Sequence, residues 1–134
     1  MNRYKYQFIG DALFENVPGD ILEKTLLQKM ITADLGRLLV LKNAIEDYQT
    51  VIWLDADFLI FRPEKFVLPD QPYAVGREVW VQQDQDGKLK AYKKVHNAFL
   101  MFRAGNHFLD FYADTATRLL RENTGTMPPQ FIGP

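Results

Sequence analysis

The fold is decided by an apolar run in the middle of the chain, Val51-Ile52-Trp53-Leu54-Asp55-Ala56-Asp57-Phe58-Leu59-Ile60-Phe61. Four apolar residues stand before its two carboxylates and four stand after them. A continuous apolar run of this kind predicts a strand that is buried on both faces, as in a parallel sheet. Because an unpaired carboxylate is costly to bury, Asp55 and Asp57 need a partner that offsets their charge.

Asp55 and Asp57 are candidates for a metal site. Residues two apart in an extended chain point to the same side, so the two carboxylates would project together and repel each other. A hard divalent cation removes this conflict. Mg²⁺ and Mn²⁺ suit oxygen ligands, and Mg²⁺ typically binds one or two carboxylates and keeps its other positions for water and substrate phosphate. The ordinary alternative for Asp-x-Asp is a turn or a solvated strand edge, which the apolar flanks disfavour.

The composition excludes several classes of protein. The chain has 134 residues, enough for one domain with its own core, and its hydrophobic fraction of 47% does not fit disorder. Its 16 basic and 17 acidic residues give a net charge of −1, so no nucleic-acid partner is indicated. The absence of cysteine excludes disulfides, zinc–thiolate sites and thiol nucleophiles.

Alternating strand and helix patterns predict an α/β sheet. Apolar and aromatic runs predict strands at 4–9, 51–61, 73–76 and 98–102. The turn Asp84-Gln85-Asp86-Gly87 predicts a hairpin between 78–83 and 89–92.

Two helical regions are expected. Helical periodicity runs over 21–48 with a break near Thr32, and Asp20 is the expected N-cap, with Glu23 three residues later as in a capping box. An amphipathic helix is expected over 108–120, with Asn106 as a plausible N-cap.

Asp34 and Arg37 form a second informative pair, three residues apart on the helix that leads into the Asp-x-Asp run. On a helical wheel they share the apolar face with Met30, Leu38, Leu41 and Ile45. A charged pair on a core-facing stripe must be paired or ligated. Two interpretations stay open: a structural ion pair, or contact with a polar ligand at the edge of the sheet, where ligands bind in open α/β folds.

His96 and Asn97 precede the predicted strand 98–102, and both can hydrogen-bond a sugar or a phosphate. For His96 alone, a satisfied strand-end residue is the preferred interpretation. Asn97 is the stronger candidate, because an Asn that enters a buried strand needs partners for its amide. Four lysines follow the hairpin turn and predict a solvated basic arm, with contact to an anionic lipid surface or acceptor as the alternative: Lys88, Lys90, Lys93 and Lys94.

Three segments in order resemble the glycosyltransferases with a DxD sugar-binding region: Thr32–Leu38, Val51–Asp57 and His96–Phe102. They are most similar to families 8 and 32, which include mannosyltransferases and many capsule or lipopolysaccharide transferases. Gly133-Pro134 is similar to a Gly-Pro motif of family 32. The resemblance covers about residues 4–134.

By resemblance, the fold would be GT-A, a Rossmann-like α/β/α sandwich. The activity would be metal-dependent transfer of a sugar from a UDP- or GDP-sugar to a saccharide, lipid or protein acceptor, with retention of configuration. Asp55 and Asp57 match the motif that holds Mn²⁺ or Mg²⁺. Asp34 and Arg37 match the Asp-x-x-Arg motif that lines the donor site, and Asn97 matches the position that faces the transferred sugar. No catalytic residue is assigned.

The resemblance also implies that residues 1–134 are a single but partial GT-A domain, incomplete at both ends. We therefore expect exposed sheet edges and apolar faces, which further copies of the chain could cover. The expected location is the cytoplasm, with the inner membrane surface as an alternative, or the Golgi lumen for a fragment of an anchored protein. Two other functions stay open: a haloacid-dehalogenase-type phosphatase with Asp55 as nucleophile, and a non-catalytic nucleotide-sugar binding remnant.

Overall fold

The computed structural model describes residues 4–133 and has a mixed α/β fold with one small sheet. Its strands are β1 (Thr50–Leu54), β2 (Tyr73–Gln83) and β3 (Leu89–Arg103). Its α-helices are α1 (Gly19–Lys24), α2 (Lys29–Ala44) and α3 (Phe108–Glu122), and short 3₁₀ turns occur at Gly10–Phe14 and Pro63–Lys65. The predicted mixed α/β class is confirmed, but the predicted alternation is not observed, because the three strands follow one another without an α-helix between them.

The sheet is antiparallel, with the strand order β1-β3-β2. The predicted parallel sheet is therefore wrong, and β1 lies at an edge of the described sheet rather than at its centre. The predicted strand 51–61 is also too long. It ends at Leu54, because Asp55 to Phe58 form a turn in which the Phe58 N–H donates to the Asp55 carbonyl at 2.9 Å.

The apolar residues beyond Asp57 have a different use from the one predicted. Phe58 and Phe66 pack against Phe99 of β3, with ring centroids 6.2 Å and 6.4 Å from it. A loop therefore covers part of the sheet face on which Phe99 lies. Within the apolar run itself only Phe58 makes this contact, since Leu59 and Phe61 are 75% and 82% exposed.

The core lies on the opposite face of the sheet, where all three helices pack. Val51, Leu100 and Phe102 share this face and contact one buried cluster of helical residues, Ile21, Ile31, Leu35, Leu38, Leu41, Leu109, Ala113, Ala116 and Leu120. Within residues 4–133 the α-helices thus form a single layer, and the second helical layer expected of a sandwich is not seen.

A bulge in β3 interrupts its pairing with β2. Val75 pairs with Leu100, but the next residue, Gly76, pairs with His96, so residues 97–99 have no partner on β2. They turn toward β1, where the Asp55 N–H donates to the Ala98 carbonyl at 3.0 Å. A side chain at Gly76 would have its Cβ only 2.6 Å from His96 Cε1, so glycine is what lets the imidazole lie against β2. The bulge sets the direction of Asn97.

The predicted hairpin is confirmed and is longer than expected. Gly87 has a positive φ of 74°, and Asp84 Oδ1 accepts hydrogen bonds from the Asp86 and Lys88 backbone N–H groups. The strands predicted at 73–76 and 78–83 are one continuous strand, as are those at 89–92 and 98–102.

The N-terminal half departs from the prediction at three points. Residues 4–9 form no strand. The helix break lies at 25–28, so Thr32 is inside α2, where its hydroxyl bonds the buried Thr25 hydroxyl at 2.6 Å. Asp20 lies in the first turn of α1 without capping it, and it instead pairs with Arg121 of α3 at 2.8 Å.

The buried face that the helical wheel predicts for α2 is only partly confirmed. Leu38 and Leu41 are buried as predicted, but Met30 is 69% exposed because the buried stripe of the helix begins at Ile31. The prediction for α3 is confirmed, with Asn106 Oδ1 accepting from the Phe108 N–H at 3.0 Å. Among residues 4–133, no helix combines the length and the apolar composition that crossing a membrane requires.

Candidate functional site

Arg37 is the centre of a polar cluster at the end of β1. Its Nη2 lies 2.9 Å from Asp34 Oδ1, and its Nη1 lies 3.4 Å from Asp55 Oδ1. The same Nη1 donates to the Asn97 backbone carbonyl at 3.0 Å. Arg37 and Asp34 are largely buried, with 11% and 14% of their side chains exposed. One guanidinium thus joins α2, the turn after β1 and the β3 bulge.

Asn97 closes the cluster from the side of β3. Its amide Nδ2 donates to Asp34 Oδ1 at 3.0 Å, while its carbonyl accepts from Arg37. Gly133 lies beside both partners, because a Cβ on it would be 3.0 Å from Asp34 Oδ2 and 3.1 Å from Asn97 Nδ2. The fold therefore brings Asp34, Arg37, Asn97 and Gly133 together. Pro134, the second residue of the Gly-Pro motif, lies outside the described residues.

Trp53 is a member of this cluster that the sequence does not single out. Its indole Nε1–H donates to Asp55 Oδ1 at 2.6 Å, and the Arg37 guanidinium lies 5.6 Å from its ring centroid. The cation over the ring and the hydrogen bond both orient the carboxylate. The spacing of the two residues could have predicted this contact, because Trp53 and Asp55 are two positions apart and so lie on the same side of an extended chain.

Burial shapes the acid–base behaviour of this site. Burial raises the pKa of the Asp34 carboxyl, and the Arg37 guanidinium and the Asn97 amide offset only part of that effect. Burial also raises the pKa of the Tyr112 phenol, with the Asp34 charge adding to the shift. Tyr112 Oη donates to the Ile132 carbonyl at 3.2 Å, which ties α3 to the segment that carries Gly133.

Asp57 lies apart from the buried cluster. It is exposed in the turn after β1, so the strand alternation that predicted a common side for Asp55 and Asp57 does not extend to it. Asp55 is 30% exposed, and the bonds to Trp53 and Arg37 both involve its Oδ1. Within residues 4–133, its Oδ2 makes no hydrogen bond.

The donor set fits a cation that is shared with a substrate. Across residues 4–133, no three His, Asp or Glu side chains are grouped to hold a metal ion by themselves. Two aspartates in the sequence Asp-x-Asp are a sufficient protein contribution for Mg²⁺, which usually takes one or two carboxylates and completes its shell with water and phosphate oxygens. Two carboxylates, Asp34 and Asp55, share the single charge of Arg37, which favours an added cation.

His96 is adjacent to Asn97 in sequence, and both residues line one concavity beside the cluster. Its Nδ1 accepts from the Ala98 N–H at 3.2 Å, which leaves the proton of a neutral ring on Nε2. The ring borders a concavity of about 440 Å³ between the sheet and α3, whose walls include Tyr73, Phe108, Tyr112 and Gly133. His96 is therefore placed beside the cluster, on the wall of this concavity.

The four lysines of the hairpin take no part in the cluster. They lie on the exposed portion of β3 or just before it, and Lys94 Nζ is 4.2 Å from the Trp80 ring centroid. This placement agrees with the solvated basic arm that the sequence predicts.

No protein-family model matches the chain, and no curated protein or solved structure is significantly similar to it. The function is therefore argued from its own residues and their geometry.

Proposed function

We propose that this chain is the core of a metal-dependent glycosyltransferase of GT-A type, which moves a sugar from a nucleoside-diphosphate sugar to a saccharide, lipid or protein acceptor. The observation that carries the proposal is the convergence of three separate motifs. Asp34 and Arg37 of α2, Asp55 after β1 and Asn97 of the β3 bulge meet within hydrogen-bond or ion-pair distance. Residues 63 positions apart have no local reason to bond.

In this proposal Asp55 and Asp57 hold the diphosphate end of the donor. Their oxygens would bind Mn²⁺ or Mg²⁺ together with the phosphates, and the bound cation would supply charge neutralisation to the leaving diphosphate. Arg37 and Trp53 keep Asp55 Oδ1 engaged, so the carboxylate is held in one orientation and presents Oδ2. Preorganised ligands of this kind lower the cost of binding.

Asp34, Asn97 and His96 would serve the sugar end of the donor. Asp34 Oδ2 and the Asn97 amide both border Gly133, which packs closely against them, and Asn97 and Gly133 line the concavity from which a hydroxyl-bearing ligand would approach. A buried carboxylate and an amide are suited to hydroxyl groups because they accept and donate hydrogen bonds in fixed directions. His96 would add the Nε2–H donor from the side of the concavity.

The phosphatase alternative has no observation in its favour. In such an enzyme Asp55 would attack phosphorus, and the contacts of Arg37 and Trp53 with its Oδ1 would make this carboxylate a weaker nucleophile. The non-catalytic remnant makes the same binding predictions as the transferase and differs only in turnover.

The deciding experiment is isothermal titration of the chain with UDP- and GDP-sugars, in Mn²⁺ or Mg²⁺ and again in EDTA. We expect binding of one nucleotide class in the presence of metal and its loss in EDTA. Failure of every nucleotide sugar to bind with metal would reject the proposal, and equal affinity in EDTA would reject the role of the cation. Release of the sugar from a bound donor then separates an enzyme from a binding remnant.

Asp34→Ala separates the two interpretations of the Asp34–Arg37 pair. In the proposed donor site, this substitution weakens nucleotide-sugar binding more than it lowers the melting temperature. A large fall in melting temperature with unchanged binding would instead identify a structural ion pair.

A further inference from the structure

Beyond Gly76, β2 and β3 continue as a two-stranded ribbon that leaves the core. It consists of residues 77–83 paired with 95–89, and nearly all of these residues are exposed. Val79 and Val81 of β2 are 55% and 62% exposed. A two-stranded ribbon without cover is marginally stable in water, so the structure raises the question of what contacts it.

The two faces of the ribbon differ. Trp80 pairs with Tyr92 on one face, and the Lys94 ammonium lies over the Trp80 ring, so these side chains cover one another. The other face carries Val79 and Val81 of β2, whose partners on β3 are Lys93 and Ala91. The remaining residues of this face are Arg77, Gln83, Leu89 and Val95, so it is mainly apolar and carries no acidic residue. The uncovered apolar area is therefore concentrated on this second face.

The two edges of the ribbon differ still more. The β3 edge has four lysines between positions 88 and 94 and no acid, and charged edge strands of this kind resist pairing with another chain. The β2 edge reads Val79-Trp80-Val81-Gln82-Gln83 and has no charge, proline or bulge. In the part of the chain that the structure describes, no strand pairs with this edge.

We propose that the free edge of β2 pairs antiparallel with β2 of a second copy of this chain, about a twofold axis perpendicular to the sheet. The two charged residues on this strand, Arg77 and Glu78, are opposite in sign. Two paired copies of β2 therefore carry no net charge at their interface. The lysines lie on β3, one strand further from the axis. Three strands from each copy would then form one continuous sheet.

Pairing of this kind also explains the apolar face. Because the axis is perpendicular to the sheet, like faces of the two copies lie side by side, and the strips that contain Val79 and Val81 become one wider apolar surface. The ribbon gains backbone hydrogen bonds along a strand that otherwise has none on that side. The inference does not depend on the proposed glycosyltransferase function.

The first test measures self-association by sedimentation, over protein concentrations from low micromolar to submillimolar. We expect a monomer–dimer equilibrium in the wild type. Val81→Lys adds a charge to the free edge and should weaken the dimer by about tenfold or more, or about 1.4 kcal/mol. Ala91→Lys is the matched control, because Ala91 is the cross-strand partner of Val81 on the same face but lies on the lysine-rich strand. It should leave the dissociation constant nearly unchanged.

The second test does not depend on the folding of either variant. The chain has no cysteine, so Gln82→Cys and Lys90→Cys each give a single site for a nitroxide label. Gln82 and Lys90 are cross-strand partners. Dipolar spectroscopy should give a longer distance between Lys90→Cys labels than between Gln82→Cys labels, by up to roughly 10 Å, twice the interstrand spacing, when these positions lie near the twofold axis. A monomer at all concentrations, or a shorter distance between labels at position 90, would overturn the proposal.

Discussion

The Asn97 side-chain amide donates to Asp34 Oδ1 at 3.0 Å, the oxygen that also faces Arg37 Nη2 at 2.9 Å. One carboxylate oxygen thus fixes both an amide from the β3 bulge and a guanidinium from its own helix. Each partner of Asp34 is held by another contact, because Arg37 also binds the Asn97 carbonyl. Groups linked in this way do not act additively when they are substituted.

Neutralising Asp57 should remove metal-dependent binding of a nucleotide sugar. Asp57→Asn keeps the size of the side chain but takes a negative charge from the proposed cation site. We expect a loss of affinity of at least about tenfold in Mn²⁺, measured by titration calorimetry, and little change in melting temperature because the residue is exposed. Asp86→Asn, an exposed aspartate in the hairpin turn, is the control and should bind as the wild type does. Equal losses in both variants would point to net charge rather than to a site.

The titration of Asp34 should be visible in the stability of the protein. Its pKa is raised above 3.8 in the folded state, so between the two pKa values the folded chain binds more protons than the unfolded chain. The contribution of Asp34 is therefore most favourable below the unfolded pKa and is lost as the pH rises through the folded pKa.

Asp34→Asn removes the titrating carboxyl, so comparison with the wild type isolates the contribution of Asp34. The free energy of unfolding of the wild type minus that of Asp34→Asn should fall as the pH rises from below 3.8, and should level off above the folded pKa. Urea denaturation of both proteins over a pH series measures the difference. A difference that is flat, or that rises with pH, contradicts the raised pKa.

Arg37→Lys should destabilise the fold although it keeps the charge. A lysine ammonium cannot reproduce the forked contacts of the guanidinium with Asp34, Asp55 and the Asn97 carbonyl. We expect a loss of about 1–3 kcal/mol in chemical denaturation, since a largely buried carboxylate loses its partner. Arg118→Lys is the control, because Arg118 pairs with Glu122 on an exposed surface at 3.8 Å and should change stability by less than about 0.5 kcal/mol. Similar losses of stability at both positions would mean that the buried contacts of Arg37 contribute no more to stability than an exposed ion pair.

Gly76→Ala should destabilise the sheet through a collision with His96. The added Cβ would lie 2.6 Å from Cε1, 2.7 Å from Nε2 and 2.9 Å from the His96 carbonyl oxygen. Overpacking of this kind costs about 1–3 kcal/mol. Adding His96→Ala to Gly76→Ala should restore part of the loss but not all of it, because the carbonyl contact remains. Gly19→Ala, where nothing lies within 4 Å, should cost no stability; a full rescue by His96→Ala would show that the backbone accommodates the methyl group freely.

Local features of the fold could be predicted from the sequence, and long-range ones could not. The Asp-Gly turn and the amphipathic spacing of α3 are decided by residues close to one another, and both predictions are confirmed. The end of β1 depends on distant residues. The apolar run continues past Asp57 because Phe58 meets Phe99, and a continuous pattern cannot distinguish a strand from a loop that packs on a sheet.

The candidate site was predictable in its members but not in its geometry. Asp34, Arg37 and Asn97 attract attention because polar groups in apolar surroundings need partners. Their partners depend on the β3 bulge. The sequence of residues 97–99 does not predict that the pairing of β3 with β2 is interrupted there. The antiparallel direction of β1 against β3 is likewise a property of the assembled sheet.

The β2–β3 hairpin has a consequence for the order in which the chain folds. Its strands are joined by the short segment between Gln83 and Leu89, whereas β1 reaches β3 by pairing Leu54 with Phe99, about 45 positions away. Short loops close at lower entropic cost, so the hairpin should form early and β1 should join it late. Asp55 meets Arg37 only when β1 is in place. A folding intermediate that has the hairpin but not β1 would therefore contain most of the sheet and lack the contacts of Asp55 with Arg37.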